Sequence, residues 1–202
     1  MVEKGIYGHI RLLVPVSVKA LEKRVLILTG SPGTGKTTVL ERAVSVLKDR
    51  GIIVGGMISR EARENENRVG FQISDIASGR RGWLAHVNQK TGPQIGKYRV
   101  NLGDLDAVGA RAISDAVETA DIVAIDEIGP MELFSEKFKA AARKALESGK
   151  LVIAVVHFKA RDPLVVQAKG REDAEVFVVT KENREILASA LVEKAATFLK
   201  PT

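Results

Sequence analysis

The stretch "GSPGTGKT", Gly30 to Thr37, restricts what this chain can fold into more than any other part of it. It matches G-x-x-x-x-G-K-[ST], a loop whose backbone N–H groups curl around a phosphate. Side chains are excluded at Gly30, Gly33 and Gly35, because the backbone must turn sharply and approach the anion closely. Ser31, Pro32 and Thr34 complete the loop. Lys36 then reaches the outer phosphates as a mobile point charge, and the Thr37 hydroxyl is placed to ligate Mg²⁺. Thr38 continues into a helix whose positive N-terminal end faces the anion.

Such a loop works only between a strand and a helix, and the flanking residues supply both. "RVLILTG" (Arg24 to Gly30) is an unbroken apolar run, as expected of a strand buried on both faces of a parallel sheet. "KTTVLERAVSVLKDRG" places Val39, Leu40, Ala43, Val44 and Leu47 at helical spacing, with Gly51 as a stop. "IIVGGMIS" returns to strand, closing a βαβ unit.

A phosphate loop of this kind needs a carboxylate for the metal, at the C-terminal end of a neighbouring parallel strand. "DIVAIDEIGPMEL" (Asp121 to Leu133) ends an apolar run in two acids, Asp126 and Glu127. Asp126 is assigned to Mg²⁺ together with Thr37; the plainer alternative is that it caps the following turn. Strand alternation sends adjacent side chains to opposite faces, so an ideal strand would point Glu127 away from the metal. The turn forced by "IGP" is expected to bring it back towards the γ-phosphate, where a carboxylate orients or deprotonates the attacking water. The alternative is a surface glutamate that happens to follow the aspartate. Glu132 lies beyond the strand and reads as capping or pairing the next helix.

Between Gly55 and Gly103 the pattern changes. Short β-prone runs, "VGFQISDI", "RGWLAHV" and "GKYRVNL", alternate with the turn formers "ENEN", "SGRRG" and "TGPQIG". This reads as an antiparallel meander inserted at about 55–103 into an α/β frame. The frame resumes with a helix ("DLDAVGARAISDAVETA"), the acidic strand and a helix from Ser135 to Gly149. The strands "KLVIAVVH" and "DAEVFVVT" and a closing helix follow. The expected fold is a three-layer α/β sandwich on a mainly parallel sheet. Residues 24–202 read as one domain, and 1–23 as an N-terminal extension of unassigned role.

The chain has 202 residues, 45% of them hydrophobic, enough for a single well-packed core. It contains no cysteine, which excludes disulfides, thiolate metal sites and thiol catalysis. It has no apolar run long enough to cross a membrane and no h-region of a signal peptide, so the expectation is a cytoplasmic protein. Few aromatics and many charges suit a thermophile. The net charge of +6 raises nucleic-acid binding, but the basic residues are interspersed with acids and form no run.

Taken together, "GSPGTGKTT", "AIDEIGPMEL" and "VVTKENR" (Val178 to Arg184) resemble the P-loop nucleoside-triphosphatase family of archaeal and bacterial thermophiles, which also includes the human cancer-related nucleoside triphosphatase. The likeness runs from about Arg24 to the C-terminus and includes the glycine- and arginine-rich middle. It implies a P-loop NTPase core of the ATPase-like branch, in which an extra strand separates the P-loop strand from the acidic strand. It also implies slow, Mg²⁺-dependent hydrolysis of ATP, GTP and other triphosphates to diphosphate and phosphate, with loose base selectivity. Carried over, Gly30 to Thr38 hold the phosphates. Ile122, Val123, Ala124, Ile125, Asp126, Glu127, Ile128 and Gly129 form the second nucleotide-contacting segment. The chain departs from the pattern in residues 1–23 and at Phe158, where a basic residue is expected after His157; that moves attention to Lys159.

Hydrolysis also needs positive charge on the γ-phosphoryl group. Arg60, Arg63, Arg80, Arg81 and Arg184 are the candidates. Arg60 is the first choice, because a strand leaving the P-loop unit would end near the phosphates. Lys36, Glu127 and Arg60 are thus the expected catalytic set. Trp83 either stacks on a base or packs in the meander, and His157 either contacts phosphate or caps its own turn. Thr180 is read as a cap for the last helix, with Lys181 and Asn183 at the rim of a base site. A nucleotide or polynucleotide kinase and a nucleotide-gated nucleic-acid-binding module are the competing readings. Glu127 favours hydrolysis over the kinase, since a water-activating base beside the γ-phosphate would waste ATP. The partner expected is the triphosphate itself, bound by a monomer or small oligomer.

Overall fold

A computed structural model describes residues 23–200; most of the N-terminal extension therefore lies outside the described residues, as does the question of a signal peptide. β1 (Val25–Thr29) is buried throughout and is followed by the phosphate loop and α1 (Lys36–Asp49). α1 buries Val39, Leu40, Ala43, Val44 and Leu47, the residues selected by the helical spacing. β2 (Val54–Glu64) leads into β3 (Asn67–Asp75), β4 (Arg81–His86) and the short β5 (Gln94–Ile95) and β6 (Tyr98–Val100). A continuous helical segment follows: α2 (Leu102–Asp104), a π-helical stretch (Leu105–Ala110) and α3 (Arg111–Thr119). Then come β7 (Ile122–Ile128), a 3₁₀ turn (Glu132–Phe134), α4 (Glu136–Glu147) and β8 (Leu151–Val156). The chain closes with α5 (Pro163–Gly170), β9 (Ala174–Val178) and α6 (Arg184–Phe198).

All these strands form one sheet in the order β5-β6-β4-β3-β2-β7-β8-β1-β9. From β2 to β9 the neighbours are parallel. β8 lies between the P-loop strand β1 and the acidic strand β7, the arrangement expected of the ATPase-like branch. The other four strands extend the same sheet antiparallel. The meander is therefore less separate than an insert at 55–103 suggests. Its first strand is the far half of β2, whose near half, Val54 to Met57, pairs in parallel with Ile122 to Ile125 of β7. The same strand pairs with β3 from Met57 to Glu64. "REARE" reads as a polar exit from the strand because its side chains are exposed, yet its backbone stays in the ladder.

Helices cover both faces. On β1, Leu26 and Leu28 join a cluster with α1 and α6, while Val25 and Ile27 join one with α3, α4 and α5. β7 alternates likewise, with Ile122 and Ala124 on the α1 side and Val123 and Ile125 opposite. α4 begins as expected, with the Ser135 hydroxyl accepting from the Phe138 N–H. α5 is an element that the apolar periodicity does not announce. Its signal is local: Asp162 caps it by accepting from the Leu164 N–H, and Pro163 occupies the first turn. No helix among the described residues is long and apolar enough to cross a membrane.

Candidate active site

The phosphate loop turns on three glycines with positive φ: Gly30 (144°), Gly33 (76°) and Gly35 (95°). Gly30 is also hemmed in, since a Cβ there would lie 2.6 Å from the Val179 carbonyl oxygen. Gly35 occupies the N-cap of α1 in a left-handed conformation, and no side chain caps the helix. Its first N–H groups thus face the loop, which is the anion-binding arrangement of a helix N-terminus. The Lys36 ammonium folds over the loop and donates to the carbonyls of Gly30 (3.2 Å) and Ser31 (3.0 Å).

Asp126 ends the alternating part of β7 on the α1 side and is only 1% exposed. Burial pushes its carboxyl up to about 7; a hydrogen bond from Thr37 opposes this, the Glu127 charge adds to it, and a backbone bond from Ser59 opposes it again. Oδ2 is buried without a hydrogen-bond partner among the described residues. A desolvated carboxylate with one unpartnered oxygen, beside a threonine hydroxyl, fits Mg²⁺ held by few protein ligands together with water and phosphate oxygens. The described residues contain no group of three or more His, Cys, Asp or Glu that would form an all-protein cage.

Glu127 breaks the alternation. Ile125 pairs with Ala154 and Ile128 with Val156, so β7 advances three residues against two on β8. An extra residue of this kind re-aims the side chains that follow it. Ile125 and Ile128 both enter the α4-side core as a result. Glu127 lines a cleft of about 680 Å³ together with Lys36 and Thr37. The opposite wall of that cleft comes from the β2–β3 hairpin: Ser59, Arg60, Glu61, Arg63, Arg68 and Phe71.

The wall's arginines differ in how firmly they are held. Arg68 is bound to the Tyr98 hydroxyl and to Glu61, and Arg63 to Glu61 and the Glu66 carbonyl. Arg60 uses its Nε for Glu41 of α1 and is 62% exposed. Arg68 is not among the sequence candidates; the β2–β3 register sets it opposite Arg63 and within reach of Glu61.

The remaining candidates lie elsewhere or serve the backbone. Arg80, Arg81 and Trp83 are not among the cleft's lining residues, and Trp83 packs edge-on against His86 at 4.4 Å between ring centroids. His157 caps its own turn, its Nδ1 accepting from the Lys159 N–H at 3.3 Å. Asn183 accepts from the Thr180 N–H and donates to the Val178 carbonyl, so its amide brackets the β9–α6 turn and is not free at a rim. Because Thr180–Asn183 forms this bracket, α6 starts at Arg184. Arg184 rests against the phosphate loop, its Cδ 3.4 Å from where a Cβ on Gly35 would be.

Glu132 corrects the sequence reading. Ser135 caps α4, and Glu132 is only 4% exposed, in the turn beside Glu127. Burial first, then the Glu127 charge, push its carboxyl up to about 8. Its folded value lies above the unfolded 4.5, so the stability it contributes is fully present below about 4.5 and is lost as pH rises towards 8. Denaturant titrations without nucleotide or metal should show stability falling from pH 5 to 8, and Glu132→Gln should flatten that slope. An unchanged slope would show that Glu132 ionises normally.

A profile of a family described as NTPase matches residues 25–192. The chain is 44% identical over 176 residues to the nucleoside-triphosphatase THEP1 of Thermofilum pendens, covering 86% of this chain and 96% of that one. It is 37% identical to the Thermotoga maritima protein of the same name over 83% of this chain and 92% of that one. The solution structure of a human cancer-related nucleoside triphosphatase superposes with a TM-score of 0.73 at 34% identity, covering 88% of this chain and 100% of that one. The crystal structure of THEP1 from Aquifex aeolicus gives 0.74 at 27% identity, covering 84% and 97%. With its phosphate loop, its acidic strand and this likeness along nearly the whole described chain, the protein belongs to the NTPase family.

Proposed function

We propose that this protein hydrolyses nucleoside triphosphates to diphosphate and phosphate with Mg²⁺, and with little selectivity for the base. The observation that carries this reading is the Glu127 carboxylate in the same cleft as Lys36 and Thr37. The N-terminus of α1 and the backbone of Gly30 to Thr38 hold the phosphates. Lys36 exchanges its two loop carbonyls for phosphate oxygens. Thr37 and Asp126 would hold Mg²⁺, which would supply charge neutralisation at the phosphates. Glu127 orients a water in line with the γ-phosphorus and takes its proton as the new P–O bond forms. The bond from the γ-phosphorus to the β–γ bridging oxygen breaks, and Arg60 screens the charge on the γ-phosphoryl oxygens. At the β9–α6 turn Arg184 rests against the phosphate loop and Asn183 is committed to the backbone, so this turn offers few polar groups to read a base edge.

Phosphate release from ATP, GTP, CTP and UTP should proceed with Mg²⁺ alone, at rates within about tenfold of one another, the discrimination typical of modest differences in contact. Chelating the metal should abolish it. Negligible release until a nucleoside or an RNA end is supplied would replace hydrolysis with kinase chemistry.

A further inference from the structure

The β9–α6 turn borders the phosphate loop on the side away from Glu127. In the order β7-β8-β1-β9, the two acids lie two strands to one side of the P-loop strand, and this turn lies one strand to the other. All stand towards the carboxyl ends of parallel strands, where open α/β sheets bind their ligands. Turn and loop are in close contact. The Val179 N–H donates to the Thr29 carbonyl at 2.7 Å, and the Val179 carbonyl oxygen would lie 2.6 Å from a Cβ on Gly30. With the γ-phosphate facing Glu127, the nucleoside at the other end of the triphosphate leaves the loop towards this turn. Arg184 waits there. Its Cδ and Nη1 stand 3.4 and 3.7 Å from where a Cβ on Gly35 would be, so its side chain lies along the loop. It is not among the residues lining the cleft shared by Lys36, Thr37 and Glu127, which separates it from the wall's arginines. Its side chain is 45% exposed, and its pairing with Glu185 is a loose 3.7 Å contact to a carboxylate that Arg42 also engages.

We infer that Arg184 is the base contact of this site: its guanidinium lies flat on the face of the base, whichever base the nucleotide carries. This rests on the hydrolytic reading above, with the γ-phosphate towards Glu127. A guanidinium is planar and delocalised and stacks on aromatic faces. Every base offers such a face, so a face contact grips all four without telling them apart. The group beside Arg184 that could read an edge is already spent: the Asn183 amide accepts from the Thr180 N–H and donates to the Val178 carbonyl. Weak base selectivity thus acquires a residue, one that holds the ring and leaves its edge unread.

Calorimetric binding and phosphate release test it on the full chain with Mg²⁺ and each of ATP, GTP, CTP and UTP. Inorganic tripolyphosphate serves as the ligand without a base. Arg184→Ala should weaken binding of all four nucleotides roughly three- to tenfold, the effect of losing a cation–π contact at a part-exposed site. The loss should appear in KM and leave kcat within about twofold, as removal of a contact made equally in ground and transition states does. Tripolyphosphate affinity should not change. Arg184→Lys keeps the charge but not the plane, and should recover little of the loss. Arg184→Met keeps the stem against Gly35 and should lose as much as the alanine variant; it is read in its place if Arg184→Ala does not fold. The inference is overturned if Arg184→Lys binds nucleotides like the parent chain, if tripolyphosphate affinity falls as far as nucleotide affinity, or if nucleotide affinity is unchanged. A fall in kcat at constant KM also overturns it and moves Arg184 to the γ-phosphoryl group. A parent chain that releases no phosphate from any nucleotide would remove the hydrolytic reading instead, and the calorimetric comparison would still decide what Arg184 holds.

Discussion

Glu127→Gln is expected to lower phosphate release at saturating MgATP by roughly 10²- to 10⁴-fold, the range by which positioned acid–base groups accelerate reactions. Nucleotide affinity should change by no more than a few-fold. Glutamine keeps the shape of the side chain and removes its basicity, so the loss belongs to proton removal and water orientation. Measuring kcat by single-turnover phosphate release, and Kd with a fluorescent triphosphate, separates the two effects. Comparable losses in both would move Glu127 from the water to the metal. An unchanged kcat would remove the general-base role from Glu127, and Asp126 already accepts hydrogen bonds from Thr37 and the Ser59 backbone.

The second large effect is expected at Arg60. Removing an arginine that stabilises the γ-phosphoryl group in the transition state costs on the order of 10³-fold or more in kcat. Arg60→Ala should show that loss with KM nearly constant. Among the wall's arginines it is the one we propose for this work. Arg63 and Arg68 are tied to Glu61, whereas Arg60 gives only its Nε to Glu41 and directly follows Ser59, whose backbone bonds Asp126. Glu41→Ala provides the control. If Glu41 merely steers Arg60, its removal should cost far less than loss of the guanidinium itself. A wild-type rate for Arg60→Ala would shift the role to Arg68 or Arg184.

The parts of this protein legible in sequence are those fixed by local physics. A buried strand, a glycine turn and an amphipathic helix follow one another within residues 24–51, and each has a short-range cause. Asp126 was legible for the same reason, as the acid closing an apolar run. Glu127 was only half legible. The strand's period argued for the wrong face, and what re-aims it is a mismatch of three residues on β7 against two on β8, a property of the pairing. Glu132 was misread because a cap and a buried neighbour look alike in "GPMELFSEK"; burial is decided by how the turn folds back, not by residue type. α5 was missed because eight residues hold too few apolar repeats, although its Asp162-Pro163 start was readable. The meander was seen as strands, but its fusion with the core through β2 was not, since polar side chains hid a continuous backbone ladder.

That shared strand has a mechanical consequence. The wall carrying Arg60 and the strand carrying Asp126 belong to one uninterrupted sheet, zipped together from Val54 to Met57. A lid on two loop hinges could swing open without cost to its neighbours; the foot of this wall is instead held in the ladder with β7. Arg60 lies three residues beyond the last β7 pairing and is held in the ladder with β3, so it moves only with the β2–β3 hairpin. The spacing at the foot of the cleft is thereby set by strand geometry, as the jaws of a vice are set by its frame.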